Sequence, residues 1–188
     1  MAEVPENVGV KQYFDEYLPG IFAEQVAGAA VLGMEGTVIG VQFDVEGTSY
    51  SIVVKDGKDL EVREGAVDDP LVMLTMSEDV FRAAVTGKME GATDMFTDMS
   101  QMNKARLDQI KGVSGTIVLD LTTADGTNAV IRVALNGAAS PESTFKCTVE
   151  DWIAISKGEI AGPTAFMSGK LKIEGDMPFA MGLSSLTG

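Results

Sequence analysis

Few side chains in this sequence could carry out covalent chemistry. Histidine is absent and cysteine occurs once, as Cys147. The chain therefore has no Ser–His or Cys–His pair for nucleophilic catalysis and no cysteine-based zinc site. A nucleophilic cysteine needs a base beside it, which disfavours that role for Cys147. We predict no catalytic residue, no metal site and no cofactor, and hence a protein that is not an enzyme.

Two pairs of acidic residues could in principle act as general acid and base. Glu78-Asp79 follows Ser77, and Glu150-Asp151 follows Thr148 at a spacing of two. Catalytic carboxylates need a pocket that shifts their pKa values. A hydroxyl residue followed by acids and an apolar run is instead typical of a helix N-terminus, where the hydroxyl caps free N–H groups and the acids meet the positive end of the dipole. The pattern favours capping over catalysis.

Charge restricts the partners of this acidic protein. Acidic side chains outnumber basic ones by 28 to 14, which gives a formal net charge of −14. Such a surface repels the phosphates of nucleic acids and the headgroups of anionic lipids. The longest run of apolar residues and glycine, 26–34, is far shorter than the roughly 20 residues that cross a bilayer. With no secretory pattern at the start, we expect a cytoplasmic protein without a nucleic-acid partner or stable membrane insertion.

The elements that must position any site follow from the alternation of apolar residues. Of the 188 residues, 45% are hydrophobic, which is enough for a core. Runs rich in β-branched residues, separated by turn pairs such as Asp56-Gly57 and Asn136-Gly137, predict hairpins. The predicted strands span 37–45, 49–55, 60–63, 71–76, 116–122, 129–135, 144–148 and 170–174. A helix is expected after each capping sequence, so the chain should contain both strands and helices.

An internal repeat organises these elements. An offset of 79 residues aligns 36–39 with 115–118, and an offset of 71 aligns Phe81 with Trp152 and Gly87 with Gly158. The change of offset means that the second copy lacks eight residues, which correspond to the strand and turn at 58–65. The two stretches aligned by these offsets follow one another along the chain and agree in their glycines and in their pattern of apolar residues, which favours a duplication. We predict two domains, 1–98 and 99–188, below called the first half and the second half.

The end of the chain resembles a known family. The sequence from Thr164 to Met177, followed by an apolar helix rich in methionine, resembles the C-terminal signature of sterol carrier protein domains. Upstream, Leu74 to Phe81 and Thr86-Gly87-Lys88 are similar to the same family. The resemblance implies an α+β fold in which helices cover a mostly antiparallel sheet. It also implies an apolar tunnel between helices and sheet that takes sterols, fatty acyl chains, acyl-CoA or other lipids. The first half has no counterpart of the final strand after Thr93, so we expect it to be incomplete at its C-terminal end.

The resemblance and the apolar stripe of the last helix together predict a ligand site in the second half. Its wall would be Trp152 and Ile155, and its end Phe166 and Met167. Its lid would be formed by Phe179, Met181, Leu183 and Leu186, of which Phe179, Leu183 and Leu186 follow helical spacing.

Two functions remain open at this point. The first is binding, with transfer or presentation, of a lipid or other apolar small molecule without catalysis, for which a lipid-metabolising enzyme is a candidate partner. The alternative is an accessory or structural subunit whose apolar groove mediates protein–protein association.

Overall fold

Eight strands form where alternating apolar residues predict them, each within two residues of the expected bounds. The structure is a computed structural model that describes residues 4–27, 33–89, 91–98 and 102–183. The strands are β1 Val38–Val45, β2 Thr48–Lys55, β3 Asp59–Glu64, β4 Val72–Met76, β5 Gly115–Thr122, β6 Asn128–Leu135, β7 Glu142–Thr148 and β8 Lys172–Gly175.

One sheet contains all eight strands, in the order β3-β2-β1-β4-β6-β5-β7-β8. The pairs β1–β4 and β5–β7 are parallel, and the other five neighbouring pairs are antiparallel. The predicted α+β class with a mostly antiparallel sheet is therefore confirmed.

The same strand arrangement occurs in both halves of the chain. In the first half β1 lies between its antiparallel hairpin partner β2 and the parallel strand β4, and in the second half β5 lies between β6 and β7 in the same way. On its outer side β7 pairs with β8, whereas the equivalent side of β4 pairs with β6. The internal repeat and the boundary between residues 98 and 99 stay predictions, which this shared arrangement supports.

Helices connect the strands. The N-terminal helical segment comprises α1 Val10–Gln12, a π-helical turn at Tyr13–Tyr17 and α2 Leu18–Ala27. The other helices are α3 Glu78–Val85, α4 Asp94–Thr97, α5 Lys104–Lys111, α6 Val149–Ser156, α7 Gly162–Met167 and α8 Met177–Gly182. Within the described part of the chain, no helix is both long enough and apolar enough to cross a bilayer.

Ser77 and Thr148, the hydroxyl residues that precede the two acid pairs, cap α3 and α6 as the sequence predicts. The Ser77 hydroxyl oxygen accepts a hydrogen bond from the Val80 N–H at 3.3 Å, and the Thr148 hydroxyl accepts one from the Asp151 N–H at 3.1 Å. Each pair of acids therefore lies in the first turn of α3 or α6, where the helix dipole favours negative charge.

The two faces of the sheet differ in character. Alternate residues of every strand from β1 to β8 pack with the helices in or against one hydrophobic core, which runs through both halves. The intervening residues, on the opposite face, form ion pairs between strands. Lys55 on β2 pairs with Glu61 on the neighbouring β3, and Arg132 on β6 pairs with Glu142 on β7, across the strand β5. The continuous hydrophobic core therefore lies on the side of the sheet that carries the helices.

Candidate functional site

An apolar cavity of about 290 Å³ lies between the sheet and the helices of the second half. Its floor is formed by Ile117, Phe145 and Ile173, on β5, β7 and β8. Phe145 and Ile173 are directly opposite each other in the antiparallel pair β7–β8, so both side chains point to the same face of the sheet. The alternation of these strands thus sets the floor of the cavity.

The wall of the cavity is the buried face of α6. Trp152 and Ile155 lie three residues apart, each with only 4% of its surface exposed. The Trp152 indole Nε1–H donates a hydrogen bond to the Ala92 carbonyl oxygen at 2.8 Å. This buried bond fixes the orientation of the indole and uses its single donor, so that the ring presents only carbon atoms to the cavity.

The entrance to the cavity is formed by α7 and α8. Phe166 and Met167 on α7 are 44% and 87% exposed, and Met181 on α8 is 54% exposed, although all three line the cavity. Ala180 and Leu183 line it from the inside and are buried. We call the exposed set Phe166, Met167 and Met181 the apolar rim.

Hydrogen bonds between β7 and Asp176 hold the start of α8 in place over the cavity. The Asp176 side chain caps α8 by accepting from the Phe179 N–H at 2.8 Å. The Asp176 N–H donates to the Glu142 carbonyl oxygen at 2.9 Å, and the Ser143 hydroxyl donates to the Asp176 carbonyl oxygen at 2.6 Å. The start of the helix is therefore anchored to the start of the strand.

Six of the eight residues predicted for the site line the cavity: Trp152, Ile155, Phe166, Met167, Met181 and Leu183. Phe179 is not among the lining residues. Its ring lies over Gly115, where an added Cβ atom would come within 2.7 Å of two ring carbons. The eighth residue, Leu186, lies outside the described residues.

Seven further lining residues were missed from the sequence: Ile117, Phe145, Gly162, Pro163, Leu171, Ile173 and Ala180. The strand alternation could have indicated Ile117, Phe145 and Ile173, because each lies on the apolar face of a predicted strand. Ala180 carries no such signal, since alanine suits any position of a helix.

The described residues of the lining offer contact with hydrocarbon and no reactive group. None of the thirteen lining residues that the structure describes has an ionisable side chain. Burial, with a further contribution from the Asp151 charge, raises the pKa of the nearby Cys147 thiol to about 12. The thiol is therefore protonated at neutral pH and is a poor nucleophile.

A second cavity, of about 430 Å³, lies between α3 and the β5–β6 turn and has a different character. Its lining includes Asp79, Lys88 and Asp125. Hydrogen bonds from Thr123 and Thr127 lower the pKa of Asp125 to about 2, so this side chain is charged at neutral pH. Charged groups make this cavity unsuitable for an apolar ligand.

In the first half, aromatic side chains pack against the equivalent helix. Phe81 on α3 corresponds to Trp152 at an offset of 71. Its ring meets Tyr13 edge to face at 5.4 Å and stacks with Phe14 at 5.8 Å. Phe14 also stacks on Tyr50 of β2 at 4.7 Å. The N-terminal helical segment thus supplies side chains to the apolar face of the first half.

Comparison with known proteins identifies one family. The model of the SCP-2 sterol transfer family matches residues 96–188. No match is found among curated proteins.

Solved structures similar to this chain include three sterol carrier proteins. Domain 2 of the Helicoverpa armigera protein has 26% identity, a TM-score of 0.38 and coverage of 55% of this chain and 84% of its own. The apo form of sterol carrier protein 2 from Yarrowia lipolytica has 19% identity, a TM-score of 0.40 and coverage of 56% of this chain and 89% of its own. Sterol carrier protein 2 like 2 from Aedes aegypti has 14% identity, a TM-score of 0.24 and coverage of 94% and 98%.

Proposed function

The chain belongs, through residues 96–188, to the SCP-2 sterol transfer family, and we propose that it binds a lipid or other apolar small molecule in the cavity beneath α6, α7 and α8. The observation that carries this proposal is the lining itself. A cavity of about 290 Å³ whose lining residues, among those that the structure describes, are all uncharged suits a hydrocarbon group. Burying hydrocarbon gains about 0.8 kcal/mol per CH₂, before the cost of ordering the ligand is subtracted.

The proposal includes binding without catalysis. In the described part of the chain, no residue that lines the cavity has an ionisable side chain that could act as an acid, a base or a nucleophile. The protonated Cys147 thiol is not among its lining residues. We therefore expect a ligand to leave the protein chemically unchanged.

The proposal also limits binding to one site per chain. Phe14 and Phe81 are 0% and 2% exposed, and their rings are in contact where the first half would need an open cavity beside α3. A titration should therefore give one equivalent of ligand at saturation.

Transfer or presentation of the ligand is supported by the apolar rim. Met167 is 87% exposed at the entrance of the cavity, so a ligand can pass directly between the cavity and an apolar surface outside. The same exposure favours the second candidate function, in which the rim contacts a partner protein such as a lipid-metabolising enzyme. Concentration-dependent association without lipid binding would favour this alternative.

A matched pair of variants on α8 tests the proposed site. Met181 lines the cavity and is 54% exposed, whereas Met177, one turn earlier, is 37% exposed and is not among the lining residues. Both positions reach solvent, so aspartate at either one is compatible with folding. Met181→Asp should weaken the binding of a fluorescent fatty acid at least tenfold, because it places a charge beside the hydrocarbon. Met177→Asp should stay within about twofold of wild type.

The controls make the result decisive. Circular dichroism should confirm that both variants are folded, and mass spectrometry of an organic extract should identify any lipid that the purified protein carries. Equal affinities for the two variants would place binding elsewhere. A wild-type protein that binds no apolar probe would contradict the proposed function.

A further inference from the structure

We infer that Met167 and Met181, at the entrance of the cavity, form a reversible modification site, at which a peroxide converts the two thioethers to sulfoxides and so weakens the binding of an apolar ligand. The inference rests on the proposed function and adds to it a means of control. Binding would then respond to the peroxide concentration around the protein.

The exposed methionines are concentrated at this entrance. Met167 on α7 is 87% exposed, and Met181 and Met177 on α8 are 54% and 37% exposed. The other methionines whose side chains the structure describes are buried or partly buried, namely Met34, Met73, Met76, Met89 and Met102. A peroxide must reach the sulfur atom to oxidise it, so the exposed thioethers react before the buried ones.

The single cysteine is a weak competitor for the oxidant. Peroxides react with the thiolate form of a cysteine rather than with its thiol. Burial, with the Asp151 charge, raises the pKa of Cys147 to about 12, so the thiolate is scarce at neutral pH. In the described part of the chain, the thioethers on α7 and α8 are therefore the sulfur atoms that a peroxide oxidises first.

The modification transfers one oxygen atom to sulfur. The thioether sulfur attacks one oxygen of hydrogen peroxide, an S–O bond forms, the O–O bond breaks, and the other oxygen leaves as water after a proton transfer. Sulfur loses two electrons and the peroxide gains them. Methionine sulfoxide reductases reverse the change, because two thiols are oxidised to a disulfide while the oxygen leaves as water.

Sulfoxides at these two positions change the character of the entrance. Met167 and Met181 line the cavity, whereas Met177 is not among the lining residues. A sulfoxide is polar, and hydrocarbon that rests against it displaces its water. None of the lining residues that the structure describes has a charged side chain or a hydroxyl group to replace that water. An apolar ligand at the oxidised rim is therefore bound less tightly.

Mild oxidation of the full chain with hydrogen peroxide tests the inference. Tandem mass spectrometry of the digested protein should find sulfoxide at Met167 and Met181 well before it appears at the buried methionines. The oxidised protein should bind a fluorescent fatty acid about fivefold more weakly than the untreated protein. Methionine sulfoxide reductases with a thiol should restore the affinity, and the circular dichroism spectrum should stay the same throughout.

Leucine variants assign the effect to the rim. Leucine is close to methionine in volume and cannot form a sulfoxide. The double variant Met167→Leu, Met181→Leu should bind the fluorescent fatty acid like the wild type and should keep that affinity after peroxide treatment. Met177→Leu is the matched control on α8, and it should lose affinity on oxidation as the wild type does.

The outcomes separate the inference from the function on which it rests. Full oxidation of Met167 and Met181 with unchanged affinity would overturn the inference and leave lipid binding intact. A double variant that loses as much affinity as the wild type would also overturn it, because another residue would then cause the loss. Failure of the untreated protein to bind any apolar probe would overturn the proposed function and the inference together.

Discussion

At the scale of single residues, burial keeps two ionisable side chains, Cys147 and Tyr13, in their neutral forms. Burial, aided by the Asp151 charge, raises the pKa of Cys147 to about 12. Burial likewise raises the pKa of Tyr13 to about 12, where its ring packs edge to face against Phe14 and Phe81. Both groups are held in their neutral forms by the fold.

These shifts predict lower stability in alkaline solution. The pKa of each group is higher in the folded state than in the unfolded state, so the folded protein keeps protons that the unfolded chain releases. The free energy of unfolding should be unaffected by these groups below pH 9, the ordinary pKa of the thiol, and should decrease as pH rises toward 12. Urea unfolding at a series of pH values measures this decrease.

The double variant Cys147→Ala, Tyr13→Phe is the control. It removes both groups, so its stability should depend less on pH over the same range. A decrease as steep as that of the wild type would show that other groups cause the alkaline loss.

Sequence spacing could predict part of the site at this scale. Trp152 and Ile155 lie on the buried face of a capped helix, and both the cap and the spacing are local features. The position of Phe179 is not local. Helical spacing puts Phe179 and Leu183 on one face, but only the tertiary structure brings the ring over Gly115 and leaves Ala180 in the cavity.

At the scale of elements, the contact between β5 and α8 positions the lid of the cavity. Gly115 has a φ of +149°, and a Cβ atom there would lie 2.7 Å from the Phe179 ring and from the Pro141 carbonyl oxygen. Because one of these neighbours is backbone, a side-chain movement alone cannot relieve the overlap.

Gly115→Ala should therefore destabilise the fold and displace α8. We expect a loss of about 3 kcal/mol in the free energy of unfolding, together with weaker fatty acid binding. Gly126→Ala is the matched control, since Gly126 has a φ of +83° with nothing within 4 Å of an added Cβ. It should lose about 1 kcal/mol and keep its affinity. Equal losses of stability in the two variants would contradict close packing of α8 against Gly115.

The strands could be predicted from sequence, whereas their order could not. Alternation and the turn pairs Asp56-Gly57 and Asn136-Gly137, whose four residues all have positive φ, are properties of neighbouring residues. The pairing of β4 with β6 joins residues about 60 positions apart, such as Leu74 and Val133. Nothing in either strand alone identifies the other as its partner.

At the scale of the whole molecule, the β4–β6 pairing joins the two halves. It continues one sheet across the boundary, and the hydrophobic core contains residues of both halves. Loss of one half would expose a strand edge of the other, with its buried apolar residues. The two halves should therefore be one unit in folding, even if they arose by duplication.

This continuity predicts a single unfolding transition. Fluorescence reports on Trp152, the sole tryptophan, in the second half, while far-ultraviolet circular dichroism reports on all elements. Both signals should give the same urea midpoint and the same slope. A circular dichroism curve with a second step, separate from the fluorescence change, would mean that the halves unfold independently.

The central claim is that an apolar chain lies against Trp152 in the second half, and quenching by brominated fatty acids measures this contact most directly. Dodecanoate brominated near its methyl end should quench the Trp152 emission and saturate at one equivalent. The isomer brominated beside its carboxylate should quench much less, because that end stays at the apolar rim. If equilibrium dialysis shows that both acids bind but neither changes the emission of Trp152, the ligand does not occupy this cavity.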